Sequence, residues 1–123
     1  MKKTIIFVLA LILVGATAVT IYAANAYPKM TGRCLVTTNE IYMIVDNNGS
    51  PIIMNNQSDN KSIFEGLKSG DKIKITFDGI DLSYPGRTSV YRCKLISEGS
   101  FSDIPKATLS ELQNMGWQFE GEQ

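Results

Sequence analysis

The chain has 123 residues, with 12 basic and 12 acidic side chains and no histidine. That length fills one small core, the balanced charge gives no net pull towards a phosphate backbone, and the lack of imidazole removes the commonest general base and metal ligand. Its two cysteines have no C-x-x-C spacing, so neither a zinc site nor a redox pair is expected.

Lys2 and Lys3 lead into the apolar run Ile5–Val14, and Ala24-Asn25-Ala26 closes the segment. A basic start, an apolar middle and a small-x-small exit are the three parts of an export signal. Ala16-Thr17-Ala18 offers an earlier exit. The uncharged stretch Thr4–Ala23 has 20 residues, enough to span a hydrocarbon core as a retained helical anchor, with Lys2 and Lys3 held inside. Both readings place residues 27–123 outside the cytoplasm, as one exported domain secreted or held on the membrane. Without Lys2 and Lys3 it has 10 basic against 12 acidic residues, a net charge of −2.

Five strands are predicted. Arg33–Thr37 is the first; Ile41–Asp46, rich in β-branched and aromatic residues, is the second. Asn47-Asn48-Gly49 turns the chain into the third strand, Pro51–Asn55, forming a hairpin. Ser62 and Glu65 have capping-box spacing for a short helix whose apolar face is Ile63, Phe64 and Leu67 and whose end is Gly70. In Lys72–Asp78, Ile73, Ile75 and Phe77 alternate with polar residues, the mark of a half-buried strand. Gly79–Arg87 is read as a loop, with Pro85-Gly86 at the centre of a type II turn. Ser89–Ile96 is the fifth strand, with Tyr91, Cys93 and Leu95 inward and Val90, Arg92 and Lys94 outward. A second helix is expected over Thr108–Gly116, its stripe formed by Leu109, Leu112 and Met115, with Trp117 and Phe119 packing back.

The order β-β-β-α-β-β-α is that of a mainly β, five-stranded OB-like barrel, with a short helix between strands 3 and 4 and a C-terminal helix. An open antiparallel sheet on the C-terminal helix is the alternative. The run Gly70-Asp71-Lys72-Ile73-Lys74-Ile75-Thr76-Phe77-Asp78-Gly79, then Ser83-Tyr84-Pro85 and Val90-Tyr91, resembles small exported OB-like domains of unknown function from Gram-positive bacteria. Those domains, often lipoproteins, have a G-D-x-[IV]-x-[IV]-x-[YF]-D-G strand followed by a Y-P turn. This chain lacks a lipobox cysteine near the signal exit. The resemblance covers about a third of the exported part and implies a fold and a location, with no activity or binding residues to carry over.

Outside the cytoplasm, Cys34 and Cys93 are expected to form a disulfide, which would close a loop of 60 residues. Such a loop is worth about 4 kcal/mol in the chain-entropy model. Two separate buried thiols are the alternative, because strands 1 and 5 are not direct neighbours in an OB order.

No nucleophile elbow, phosphate loop or zinc-protease motif occurs. Asp78 and Asp81, with Asp71 nearby, form the best acidic constellation, and turn capping explains the first two more simply. Asp46-Asn47-Asn48-Gly49 has part of a calcium loop without its later Glu, and is read as a hairpin turn. Candidate ligand-binding residues are Tyr42, Tyr84 and Arg87, since an aromatic ring near a guanidinium can stack on a sugar or hold a carboxylate. Each also has a structural reading: Tyr42 as core, and Tyr84-Pro85 as a stiffener of its turn.

The expected function is a monomeric, non-catalytic binding module at the cell surface, its partner an envelope protein or glycan. It needs no cofactor or metal, takes no nucleic acid, and meets the membrane only through residues 4–23. The alternative is a structural or inhibitor-like accessory presenting residues 83–87 to a protein. A carboxylate-dependent hydrolase ranks third.

Overall fold

The computed structural model describes residues 27–122; the expected signal or anchor helix, residues 1–26, lies outside the described residues. Five strands close into a barrel in the order β1-β2-β3-β5-β4. They are β1 (Lys29–Val36), β2 (Tyr42–Val45), β3 (Pro51–Asn56), β4 (Lys72–Asp81) and β5 (Gly86–Ser97). Neighbours are antiparallel except β3 and β5, which run parallel. A 3-10 turn, Phe101–Asp103, and the helix α1, Lys106–Asn114, complete the chain.

β1 begins four residues before the predicted start because it serves two partners. Lys29–Arg33 pairs with β4, and Arg33–Val36 pairs with β2. Residues 29–33 have little apolar alternation of their own, so their strand conformation comes from pairing. Where β1 passes from one partner to the other, Gly32 packs against the β2 backbone, and a Cβ there would run into the Val45 carbonyl.

The hairpin forms as expected: the Asp46 amide donates to the Ser50 carbonyl at 3.0 Å, and Gly49 takes φ +80°. The helix expected between β3 and β4 is replaced by consecutive turns over residues 61–66. Its amides close i→i+3 bonds, Glu65 to Ser62 at 3.1 Å and Leu67 to Phe64 at 3.2 Å. Gly66 has φ +84° and breaks the helical path four residues before Gly70. The Ser62 amide is taken by Asn60 Oδ1 at 2.9 Å rather than by Glu65. The apolar face survives the change, because Phe64 is buried and Ile63 and Leu67 pack on the barrel interior.

Two further expectations need correction in β4 and β5. Both strands run longer, leaving only residues 82–85 as a loop. Gly86 opens β5 without a positive φ, so Pro85-Gly86 is not a type II turn. The register also shifts between Thr76 and Phe77. Phe77 pairs with Val90 and Thr76 with Arg92, so Tyr91 is the extra residue of a bulge. The bulge resets the alternation. Val90 is fully buried in the interior, Cys93 still faces inward, and Tyr91 is displaced from the inward set.

The interior is filled by Cys34, Val36, Ile44, Ile52, Met54, Ile73, Ile75, Phe77 and Val90. A second cluster lies outside the barrel wall. There Leu35, Met43, Val45 and Ile53 meet Ile104, Leu109, Leu112 and Phe119. The C-terminal segment therefore covers the outer face of β1–β2–β3. Thr108, the expected first residue of this helix, lies within α1, and its hydroxyl donates to the Gly49 carbonyl at 2.6 Å. Phe119 bridges to Thr37, as the expected packing-back of the tail requires.

The expected disulfide is absent: Cys34 and Cys93 are both free thiols. Cys34 pairs with Ile44 of β2, and Cys93 with Ile75 of β4. Ile75 in turn pairs with Met30 of β1, four residues short of Cys34. Four residues of strand span roughly 13 Å, so register sets the two cysteines on different rows of strands that are not neighbours.

Candidate functional site

The three expected ligand residues do not converge. Tyr42 is half-buried and packs on Phe64, with ring centroids 5.3 Å apart. Tyr84 lies in the β4–β5 loop facing Glu111 of α1, and its phenol is pushed up to about 12 by burial and by that carboxylate. Arg87 lines a shallow hollow with Asn55, Asp78 and Asp81. In that hollow Asp81 Oδ1 accepts from the Ser83 amide at 3.3 Å, and Asp78 faces the Tyr91 hydroxyl. Asp71 is elsewhere, at the opposite end of β4. It is 1% exposed, and its two oxygens accept the Lys68 amide at 2.9 Å and the Gly99 amide at 3.1 Å. Its role is to tie the start of β4 to the exit of β5.

The structure instead assembles a different site on the outer face of β1–β4–β5. Alternation sends Ile73 and Ile75 inward, so Lys72, Lys74 and Thr76 project outward. Cross-strand register then sets Arg33 beside Lys72, and Thr31 beside Lys74 with Lys94 on its other side. In the next row Lys29 and Arg92 flank Thr76. Six cations, Lys29, Arg33, Lys72, Lys74, Arg92 and Lys94, therefore share one face of three strands. They are six of the 10 basic residues that follow Lys3, so local charge departs sharply from the net charge.

Five of the six are exposed; Arg33 is half-buried, and its Nη1 donates to the Gly70 carbonyl at 3.1 Å. Among the described residues the single ion pair, Lys68–Glu98 at 4.0 Å, lies outside the six. The central cations line an open cleft of about 590 Å³ walled by Ser58, Asp59 and Asn60 of the β3–β4 segment. Asp59 is the one carboxylate among the lining residues. Tyr27 stacks on Tyr91 at the end of the face, with centroids 4.8 Å apart and planes 13° apart. Cys93 lines the cleft, and burial pushes its thiol up to about 11, so it is a poor nucleophile at neutral pH.

Composition pointed away from such a face because it averages charge over the chain. The signal was local: K-x-K at Lys72–Lys74 and R-x-K at Arg92–Lys94 each put two cations on one side of a strand. Only the β4–β5 register shows that the two sides coincide. A second cleft, of about 580 Å³, lies between Leu67–Ser69 and Gly99–Ser102 and has no such concentration of one charge.

Fold and face together define a closed five-stranded β-barrel with a helix over one flank and a cationic sheet on another. Comparison with protein-family models, curated proteins and solved structures gives no match, so the functional reading rests on this geometry.

Proposed function

We propose that the chain is an exported, non-catalytic OB-type binding module that takes an anionic ligand on the outer face of β1–β4–β5. The closure order β1-β2-β3-β5-β4, with its parallel β3–β5 pair, supports the OB assignment. The N-terminal segment supports export. The observation that carries the binding reading is the cross-strand gathering of six cations with no ion pair among the described residues to neutralise them. Like charges directly opposite on a sheet are destabilising, and an external anion offsets that cost.

The face usual for OB ligands, on strands 2 and 3, is covered here by α1 and Phe119. The expected envelope partner narrows accordingly to one with negative charge. Nucleic acid fits less well, because Tyr27 and Tyr91 stack on each other instead of offering a row of free faces to bases. The test is fluorescence anisotropy of labelled inorganic polyphosphate with the full chain in neutral detergent. Binding that weakens steeply with salt and is lost in Lys74→Glu with Lys94→Glu is the expected result; salt-independent or absent binding removes the reading.

A second reading has its own observation. Leu82, at the β4–β5 loop, is 95% exposed, as befits an accessory that presents this loop to a protein. Loss of a protein partner from envelope extracts on Leu82→Asp, with polyphosphate binding absent, would favour it.

A further inference from the structure

Resting on the anion-binding reading, we propose that the β1–β4–β5 face docks on an anionic lipid bilayer, the same bilayer that the apolar run 4–23 would enter. Charge complementarity is the first argument. Lys29, Lys72, Lys74, Arg92 and Lys94 are exposed side chains on one sheet face, and an anionic lipid surface attracts each Lys or Arg held within a Debye length of it.

The second argument is where the chain joins this face. The 20-residue span long enough to cross a bilayer, Thr4–Ala23, is followed by Ala24-Asn25-Ala26, and Tyr27 already stacks on Tyr91 of β5. Lys29, two residues on, pairs with Thr76 in the same row as Arg92. The four residue steps from Ala23 to Tyr27 reach at most about 14 Å when fully extended. An anchored chain would thus hold the cationic face within a short tether of the headgroups, whatever path residues 24–26 take.

The third argument is the pairing of aromatic and cationic groups. Tyr rings with a polar tip favour the headgroup level, and Tyr27 and Tyr91 stand at the edge of the face nearest that tether. The opposite flank of the barrel, β1–β2–β3, is sealed by α1 and is not available for the same contact. The bilayer accounts for the charge, the aromatic pair and the point of attachment together; a soluble polyanion accounts for the charge alone.

The test uses the full chain in lipid nanodiscs, with Cys93→Ser so that the enclosed Cys34 is the only native thiol left. A bimane label is placed at Ser97→Cys, beside Lys72, or at Ser110→Cys on the exposed side of α1. Headgroup nitroxide lipids quench a label held close to the surface. The expected result is at least about twofold stronger quenching at Ser97→Cys in discs with roughly a quarter phosphatidylglycerol than in pure phosphatidylcholine, with no such difference at Ser110→Cys. The difference should vanish at about 0.5 M salt, where screening shortens the reach of charge to a few ångströms. It should vanish equally in Lys74→Glu with Lys94→Glu and in the milder Lys74→Gln with Lys94→Gln, each checked for folding by circular dichroism.

Equal quenching in the two discs overturns the proposal, as does lipid-dependent quenching that both charge variants retain. If quenching is equal but soluble polyphosphate still raises the anisotropy of the Ser97→Cys label, the anion-binding reading stands and the bilayer falls. If neither responds, both fall.

Discussion

Lys74 of β4 and Lys94 of β5 stand directly opposite each other on the outside of the barrel. Strands in register hold opposed Cβ atoms about 5 Å apart, close enough for like charges to destabilise the pair. Arg33 and Lys72 repeat the arrangement one row along. A fold that needed these positions only for solubility could alternate the signs, as sheet faces commonly do. Here all six charges have one sign, so on the proposed reading the face sets binding against stability.

That conflict is testable in one substitution. Lys74→Glu turns the repulsion with Lys94 into attraction and should raise stability by about 0.5 kcal/mol at low salt. Urea unfolding monitored by circular dichroism measures the gain, which should shrink as salt is added. Polyphosphate affinity should fall in the same protein. A rise in stability with unchanged affinity would mean that the face is merely solvated.

The free thiols give a second prediction. Cys34 is fully enclosed whereas Cys93 lines a cleft, so in the native chain one equivalent of maleimide should react, more slowly than with a free thiol, and a second only after denaturation. Intact mass should not change on reduction. Burial raises both thiols above the ordinary 9.0, Cys93 to about 11 and Cys34 further. Below pH 9 folded and unfolded chains both keep these protons, and the contribution to stability is complete. As pH rises from 9 to about 11, the unfolded chain loses them first, so stability must fall. Tyr84, raised to about 12 by burial and Glu111, adds a loss of the same sign at higher pH. Urea midpoints across this range check the direction.

How much could be read from sequence divides along physical lines. The 46–50 hairpin, the alternation of β4 and the Leu109–Leu112 stripe are local patterns, and the structure contains them. Residues 29–33 escaped because their strand conformation depends on pairing with residues 72–76 of β4, far along the chain. The helix expected from Ser62 gives way to turns at Gly66, which lies inside the expected span and takes a positive φ. The phase of β5 was lost at a bulge, which leaves no mark in composition. The cysteine pairing was argued from compartment, and barrel register outweighs that argument. The cationic face is a product of the same register, so the site was the least legible feature.

Asp71 carries a third prediction. As part of an acidic constellation it would matter to chemistry; as placed, it matters to folding. Asp71→Ala deletes a buried carboxylate and leaves the part-buried Lys68 and Gly99 amides without their acceptor, and should cost about 3 kcal/mol. Asp78→Asn, at an exposed position, should change stability by less than about 0.5 kcal/mol. Comparable losses in the two variants would contradict the structural assignment of Asp71.

The last prediction concerns the flank that α1 covers. Leu112 is 0% exposed, wedged in the cluster formed with Leu35, Met43, Val45 and Ile53. Leu112→Ala removes buried methyl groups from this cluster and should cost about 3 kcal/mol. Thr108→Val should cost a further 1 kcal/mol or about that, since it deletes the hydroxyl that fastens α1 to the Gly49 carbonyl. Both sites lie away from the cationic flank. Polyphosphate affinity measured under folding conditions should therefore remain within about twofold of the unaltered chain, as expected for sites without shared partners. A large loss of affinity in a folded Leu112→Ala protein would show that the ligand lies on β2–β3 after all, beneath or beside the helix. That outcome would move the binding surface to the flank that OB barrels ordinarily use and leave the six cations without a ligand.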